Sequence, residues 1–306
     1  MQDTVLEVTH LTKTFGLFTA VNDISFSIAD GEILGLLGLN GAGKTTTIHM
    51  LLGVMKPTRG TIAFFGKDFK NNRENILKQI NFSSTYISFP HLFKVSEILE
   101  IFARLYEIPD KKKRIAKLLK EFEIEHLVGK SFVSLSAGEK TRLLLTKSFL
   151  NYPRLILLDE PTASLDPDIA IKVREFLKKE QKEYGVSMLF TSHNMSEVEE
   201  MCDRVIILHH GNIIAEDSPH NLAKKISESY VRLLIQKDAE KATILFNKLE
   251  IPYEANRFSF IIPIDEKRVA DFLMLLAKKH ISYEEISIDK PDLEDYFLQV
   301  VERKNM

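Results

Sequence analysis

The sequence predicts an α/β phosphate-loop fold, a mixed sheet with an inserted helical subdomain, followed by a small α+β domain. Three observations carry that prediction. A glycine-rich loop, Gly38-Leu39-Asn40-Gly41-Ala42-Gly43-Lys44-Thr45, joins the apolar run Ile33-Leu34-Gly35-Leu36-Leu37 to Thr46-Thr47-Ile48-His49-Met50-Leu51-Leu52, the strand-to-helix turn such a loop requires. Further on, the apolar runs Leu155 to Leu158, Val186 to Phe190 and Val205 to Leu208 alternate with helical segments, the βαβ rhythm of a mostly parallel sheet. Between these parts, from about Val95 to Leu150, apolar residues recur at helical spacing. The expected division is residues 1–217, with the helical subdomain at about 86–150, and residues 218–306.

Taken in order, the first strands are expected at Val5 to Thr9, Ala20 to Ile28, Glu32 to Leu37 and Thr61 to Phe65. Turns separate them at Asp30-Gly31 and Pro57-Thr58-Arg59-Gly60. After Pro219 the chain reads as strand Tyr230 to Ile235, helix Asp238 to Leu249, and strands Tyr253 to Ala255 and Phe258 to Ile262. Helix Glu266 to Lys279, strand Ser282 to Ile288 and a last helix from Leu293 follow. Without that helix the order is βαββαβ, a ferredoxin-like pattern. An internal echo supports it: Ile251, Tyr253 and Glu254 follow one helix as Ile281, Tyr283 and Glu284 follow the next.

The glycine loop carries the first chemistry. Glycines at Gly38, Gly41 and Gly43 permit backbone angles that a Cβ disfavours, so the N–H groups from Asn40 through Ala42 to Thr46 can converge on phosphate at a helix N-terminus. Lys44 then reaches the β/γ oxygens and Thr45 ligates Mg²⁺. An ordinary glycine turn would not need Lys and Thr directly after the last glycine. ATP and Mg²⁺ are therefore the expected ligands.

Carboxylates to complete the site stand at Asp159 and Glu160, where Leu155-Ile156-Leu157-Leu158 ends. An aliphatic run into two acids reads as a buried strand ending at the polar edge where open α/β sheets bind ligands. Asp159 is the second candidate for Mg²⁺, directly or through water. Glu160 is placed to take the proton of a water attacking the γ-phosphate. The following Pro161-Thr162-Ala163-Ser164-Leu165-Asp166 separates this pair from a plain strand end.

Through these motifs, residues 4 to 217 resemble the nucleotide-binding subunits of ATP-binding cassette (ABC) transporters. Leu135-Ser136-Ala137-Gly138-Glu139 is similar to that family's signature, whose helix N-terminus binds the γ-phosphate of ATP held by a partner subunit. The resemblance assigns that contact to Ser136 and Gly138. In isolation the string reads only as an N-cap with a capping box, Ser136 to Glu139. Phe15 matches the aromatic that stacks on adenine, with strand core as the alternative reading. Ser164-Leu165-Asp166 resembles the loop that crosses the dimer interface, which places Asp166 beside the nucleotide. Thr191-Ser192-His193 resembles the switch-histidine motif, so His193 is expected at the γ-phosphate with Asn194 and Glu197 capping the next helix.

The chain also departs from the family pattern. A glutamine usually follows the strand here occupied by Ile80-Asn81-Phe82-Ser83-Ser84-Thr85-Tyr86, and none is present. Ser84 or Thr85 takes the aligned place, so Thr85 becomes an additional metal candidate and slow hydrolysis by the lone chain is expected. Ala137 and Glu139 replace a glycine and a glutamine.

Composition bounds the function. The chain has 306 residues, 44% hydrophobic and 27% charged, with a formal net charge of −2; such near-balance gives no electrostatic drive toward nucleic acid. The basic run Lys111-Lys112-Lys113-Arg114 reads as a solvated helix face. The single cysteine, Cys202, excludes an internal disulfide, suits a reducing cytosol and reads as a small buried hydrophobe. No stretch approaches the ~18 to 20 apolar residues that span a bilayer, and the acidic start, Asp3 and Glu7, does not fit a signal peptide. The resemblance therefore implies a peripheral subunit on the cytoplasmic face of a membrane. Its partners would be a separate transmembrane permease and a second nucleotide-binding subunit, a homodimer, with no nucleic acid. Pro291-Asp292-Leu293-Glu294-Asp295-Tyr296-Phe297-Leu298 is similar to the ending of exporter-type subunits, multidrug and antibiotic exporters among them. The competing class is a soluble ABC ATPase acting on ribosomes or nucleic acid, and such relatives carry two cassettes or a long coiled coil. A kinase or GTPase would lack the signature.

Overall fold

The computed structural model describes residues 3–84, 87, 89–90, 93–226 and 228–305. The chain forms two compact units, Met1–Pro219 and His220–Met306.

In the first unit β1 (Thr4–Phe15) and β2 (Phe18–Ala29) form a hairpin closed by the Phe15–Phe18 pair. Both outrun the sequence-based bounds. The cause is a set of register shifts, with His10 (φ 51°) and Asp23 (φ 53°) in left-handed conformations, which breaks the alternation that would betray the strands. After β3 (Ile33–Leu37) come the glycine loop, α1 (Lys44–Leu51), β4 (Arg59–Phe64), a short β5 (Lys67–Asp68), α2 (Phe69–Leu77) and β6 (Ile80–Ser84). β4 thus begins inside the segment expected to be a turn. The helical segment holds α3 (Val95–Leu105), α4 (Lys111–Glu121) and α5 (Ala137–Ser148), with single 3₁₀ turns at Glu125–Leu127 and Phe132–Ser134. The chain returns through β7 (Leu155–Asp159), α6 (Pro167–Tyr184), β8 (Ser187–Thr191), α7 (Met195–Met201) and β9 (Arg204–His209) to β10 (Asn212–Asp217), and α8 (Pro219–Ala223) straddles the boundary with the second unit.

Two sheets result. One is antiparallel, in the order β2-β1-β4-β5; the other runs β10-β9-β3-β8-β7-β6, parallel except for β10. Every residue of β3, β7 and β8 is buried, which is why these strands are continuous apolar runs instead of alternating ones. Leu34, Leu36, Leu157 and Leu189 share one core with Ile48, Met50 and Leu51 of α1, so packing of α1 on the sheet sets the loop that precedes it. In α4, Lys112 and Lys113 are solvated as expected, but Arg114 is buried. Its Nη2 donates to Phe149 O at 2.5 Å and its guanidinium lies 3.9 Å from the Tyr152 ring centroid. Cys202 is buried, and burial pushes its thiol far above the ordinary range.

The second unit contains β11 (Glu228–Leu234), α9 (Ala239–Lys248), β12 (Glu254–Asn256), β13 (Ser259–Asp265), α10 (Val269–Lys278), β14 (Glu285–Asp289) and α11 (Leu293–Asn305). Its sheet runs β12-β13-β11-β14, antiparallel throughout. β13 lies between the two strands of the first βαβ half, the split arrangement of a ferredoxin-like unit. Val231, Leu233, Phe246, Phe260, Phe272 and Leu276 form its core.

Candidate nucleotide site

The loop between β3 and α1 is built around three glycines with positive φ: Gly38 at 154°, Gly41 at 82° and Gly43 at 108°. A Cβ on Gly38 would stand 2.5 Å from Leu208 O, and one on Gly43 would stand 2.6 Å from Ala20 O. Neighbouring backbone holds the loop from outside, since Gly211 N donates to Ala42 O at 3.0 Å while Asn22 N donates to Gly211 O at 2.8 Å. Lys44 Nζ donates to Gly38 O (2.5 Å) and Leu39 O (3.2 Å). Burial lowers its pKa, and the charges of Glu160 and Asp159 oppose that shift. Asn40 and Thr45 are exposed, Thr46 is half-buried and Ala42 is buried.

Asp159 ends β7, flanked in register by Ser84 of β6 and Thr191 of β8. That pairing aims both hydroxyls at its carboxylate: Ser84 Oγ donates to Oδ2 at 3.1 Å, and Thr191 Oγ1 donates to Oδ1 at 2.9 Å. Ser84, one of the two candidates for the place of the missing glutamine, therefore supports Asp159; the other, Thr85, lies outside the described residues. Thr191 also receives the Glu160 N–H, at 3.1 Å on its hydroxyl and 3.2 Å on its carbonyl. One threonine thus orients both acids. The motif contained it, but only the strand register reveals the role.

Glu160 sits in the left-handed region at φ 54°, a strained conformation for a residue with a side chain. His193 N donates to its Oε2 at 3.3 Å, and His193 Nε2 stands 3.2 Å from Oε1 without hydrogen-bond alignment. Burial pushes the Glu160 pKa up, and the neighbouring His193 is the strongest group pulling it back. Lys44, Asp159, Glu160 and His193 consequently share one electrostatic environment.

Beside them lies a cluster that the sequence did not reveal. Asn194 caps α7 through Ser196 N and Glu197 N, but the Glu197 side chain is buried elsewhere. Its Oε2 accepts from Thr162 Oγ1 (2.6 Å) and Ser192 Oγ (3.0 Å), and its Oε1 pairs with Arg174 Nη1 at 3.0 Å. The expected cap by Glu197 is thus replaced by a link among three elements.

Ser136 forms the capping box: Glu139 N donates to its Oγ at 3.2 Å and Ser136 N donates to Glu139 Oε2 at 2.7 Å. Ser136 is exposed. Among the described residues no hydrogen bond or ion pair ties Ser136 or Gly138 to Lys44, Asp159 or Glu160. Gly138 instead packs on Ser164, where a Cβ would come within 3.1 Å of the carbonyl oxygen. Asp166 N-caps α6 through its backbone, without a side-chain cap. Phe15 is 47% exposed, which removes the strand-core reading, and Lys13 Nζ stands 5.0 Å from its ring centroid.

A family model described as ABC transporter matches residues 21–163. The chain is 34% identical to the bacitracin transport ATP-binding protein BcrA of Bacillus licheniformis across 97% of each chain. It belongs to the ABC transporter ATP-binding proteins. A second relative, the Nod factor export ATP-binding protein I of Ralstonia nicotianae, is 35% identical over 71% of this chain and 68% of its own length. Among solved structures, an ATP-binding subunit of an ABC transporter superposes with a TM-score of 0.68 at 30% identity, covering 72% of this chain and 92% of that one. As a member of this family the chain is an ABC transporter ATPase, an ATP-binding and ATP-hydrolysing subunit, and the soluble alternative falls away. Among the described residues no helix is long and apolar enough to cross a membrane.

Proposed function

We propose that this ATPase powers an exporter, with two copies closing around two ATP molecules and a separate permease carrying the substrate. The observation that carries the reading is the separation of Lys44, Asp159, Glu160 and His193, gathered at one sheet edge, from Ser136, exposed and unlinked to them. A second chain supplies the missing signature to each site. The similarity to transport and export proteins along most of the chain supports the export direction.

In this reading the loop from Gly38 to Gly43, with Lys44 and Thr46, holds the phosphates, and Phe15 stacks on adenine. The Thr45 hydroxyl and the Asp159 carboxylate are hard oxygen donors suited to Mg²⁺, which when bound offsets charge on the β/γ oxygens. Glu160 takes a proton from the attacking water as the bond from the γ-phosphorus to the ADP oxygen breaks. His193 and the partner's signature hold the γ-phosphate. The chain works at the cytoplasmic face of a membrane, bound to its permease.

Replacing the base typically costs roughly 10²- to 10⁴-fold in rate while leaving binding groups intact. Glu160→Gln is therefore expected to be monomeric without nucleotide and dimeric with Mg-ATP in size-exclusion light scattering. Reconstituting the wild-type chain with its permease should raise the ATPase rate. A Glu160→Gln monomer in both conditions sinks the shared site, and a rate indifferent to permease sinks the coupling.

A further inference from the structure

Lys147, in the last turn of α5, is 6% exposed, and no carboxylate among the described residues pairs with it. Its Nζ donates to Asn81 Oδ1 at 3.1 Å and to Phe82 O at 3.0 Å, both in β6, and stands 5.4 Å from the Phe102 ring centroid of α3. The network extends beyond these contacts. Asn81 Nδ2 donates to Asn151 Oδ1 at 2.8 Å, and Asn151 Nδ2 donates to Lys78 O (3.1 Å) and Ile80 O (3.2 Å). Tyr106, at the end of α3, is hydrogen-bonded to the Asn81 side chain.

Burying an ammonium without a counter-charge is costly, and an apolar residue would serve stability better. What the ammonium does make is a grip on one strand. Two residues past Phe82, Ser84 donates to Asp159, so the gripped strand carries a support of the candidate metal ligand. The other cation of α5 with backbone partners, Arg142, holds Phe122 O and Glu123 O instead. Arg114 of α4 holds α5 only at Phe149 O. Lys147 is thus the cation that joins the signature helix to β6.

We infer that Lys147 is a positioning residue for ATP hydrolysis, its ammonium clasping β6 to the signature helix so that movement of that helix reaches Asp159 through Phe82 and Ser84. The inference rests on the assignments of Asp159 to the metal and of α5 to the partner's nucleotide proposed above.

The clasp carries a pH signature. Burial pushes the Lys147 pKa down to about 8. The groups facing it are Asn81 and the Phe82 carbonyl from β6, Phe102 and Tyr106 from α3, and Asn151 beyond α5. Of these only Tyr106 titrates, and burial raises its pKa, so it stays neutral where Lys147 titrates. Above pH 8 the amine keeps its donors but loses charge assistance, which makes such bonds roughly twice as strong. The stability sign is opposite. Because the folded pKa of about 8 lies below the unfolded 10.5, the unfolded chain binds more protons between those values, and this group makes the fold more stable as pH rises. Titration of Lys147 therefore lowers the rate in that window without itself weakening the fold.

The test is steady-state hydrolysis by the full chain, wild type beside Lys147→Arg and Lys147→Met, from about pH 7 to about pH 9. Misplacement at a reacting centre costs up to about 10²-fold; a partial slackening should lower wild-type kcat about tenfold across this range. Lys147→Arg should stay flat, and Lys147→Met, which has no donor at all, should at neutral pH fall to the wild-type alkaline rate or below it, all with little change in KM. An unchanged alkaline limb in Lys147→Arg overturns the clasp, as does a wild-type neutral rate in Lys147→Met. If the Met variant does not fold, the Arg limb decides alone. Asp159→Asn, run beside them, separates the claims: an undiminished rate there sinks the metal assignment and the route through Ser84.

Discussion

The Thr162 hydroxyl donates to the Glu197 carboxylate at 2.6 Å, and the Ser192 hydroxyl reaches the same oxygen at 3.0 Å. One buried acid therefore joins the loop after β7 to the residue before His193, with Arg174 balancing its charge.

Thr162→Val should leave Glu197 short of a donor and cost about 1–3 kcal/mol. Glu197→Ala should cost at least as much, since it strips the acceptor from both the Thr162 and Ser192 hydroxyls and leaves the half-buried Arg174 with only its ion pair to Glu200. Urea unfolding gives both numbers. Equal midpoints for wild type and Glu197→Ala would remove the carboxylate from this role.

A base must be ionised to accept a proton, so kcat should fall as pH drops through the Glu160 pKa, which burial holds above its ordinary value. His193 favours the ionised form. Removing it in His193→Ala should thus move the acid limb to higher pH, apart from any loss of plateau rate. A limb that stays in place would identify a different titrating group.

At Gly41 a Cβ meets nothing within 4 Å, whereas at Gly43 it meets Ala20 O at 2.6 Å. Gly41→Ala should cost only the left-handed backbone penalty, roughly 1–2 kcal/mol. Gly43→Ala adds a clash that the strand cannot evade, and should abolish measurable ATP binding in a fluorescent-nucleotide titration. Similar affinities for the two variants would contradict the loop geometry.

The loop, the apolar strands and Asp159 were legible because each is encoded locally, in a run of neighbours whose periodicity or spacing has one physical reading. The βαββαβ order of the second unit was readable for the same reason. β10 escaped notice because, at the sheet edge, its residues are mostly half-exposed and do not form an apolar run. β5 has only two residues. Arg114 looked like part of a solvated basic run, and its burial depends on the end of α5 some thirty-five residues away. The partners of Glu197 and the support of Asp159 by Ser84 come from strand register and helix docking, which no local window contains.

The hold of Gly211 on Ala42 and Asn22 has a practical consequence for dissecting the chain. The turn between β9 and β10 lies some 170 residues beyond the loop it steadies, close to the end of the first unit. A truncation made before that turn would abolish nucleotide affinity and invite the conclusion that the second unit binds ATP. Cuts after Asp217 spare the turn, so only they can reveal what the second unit contributes.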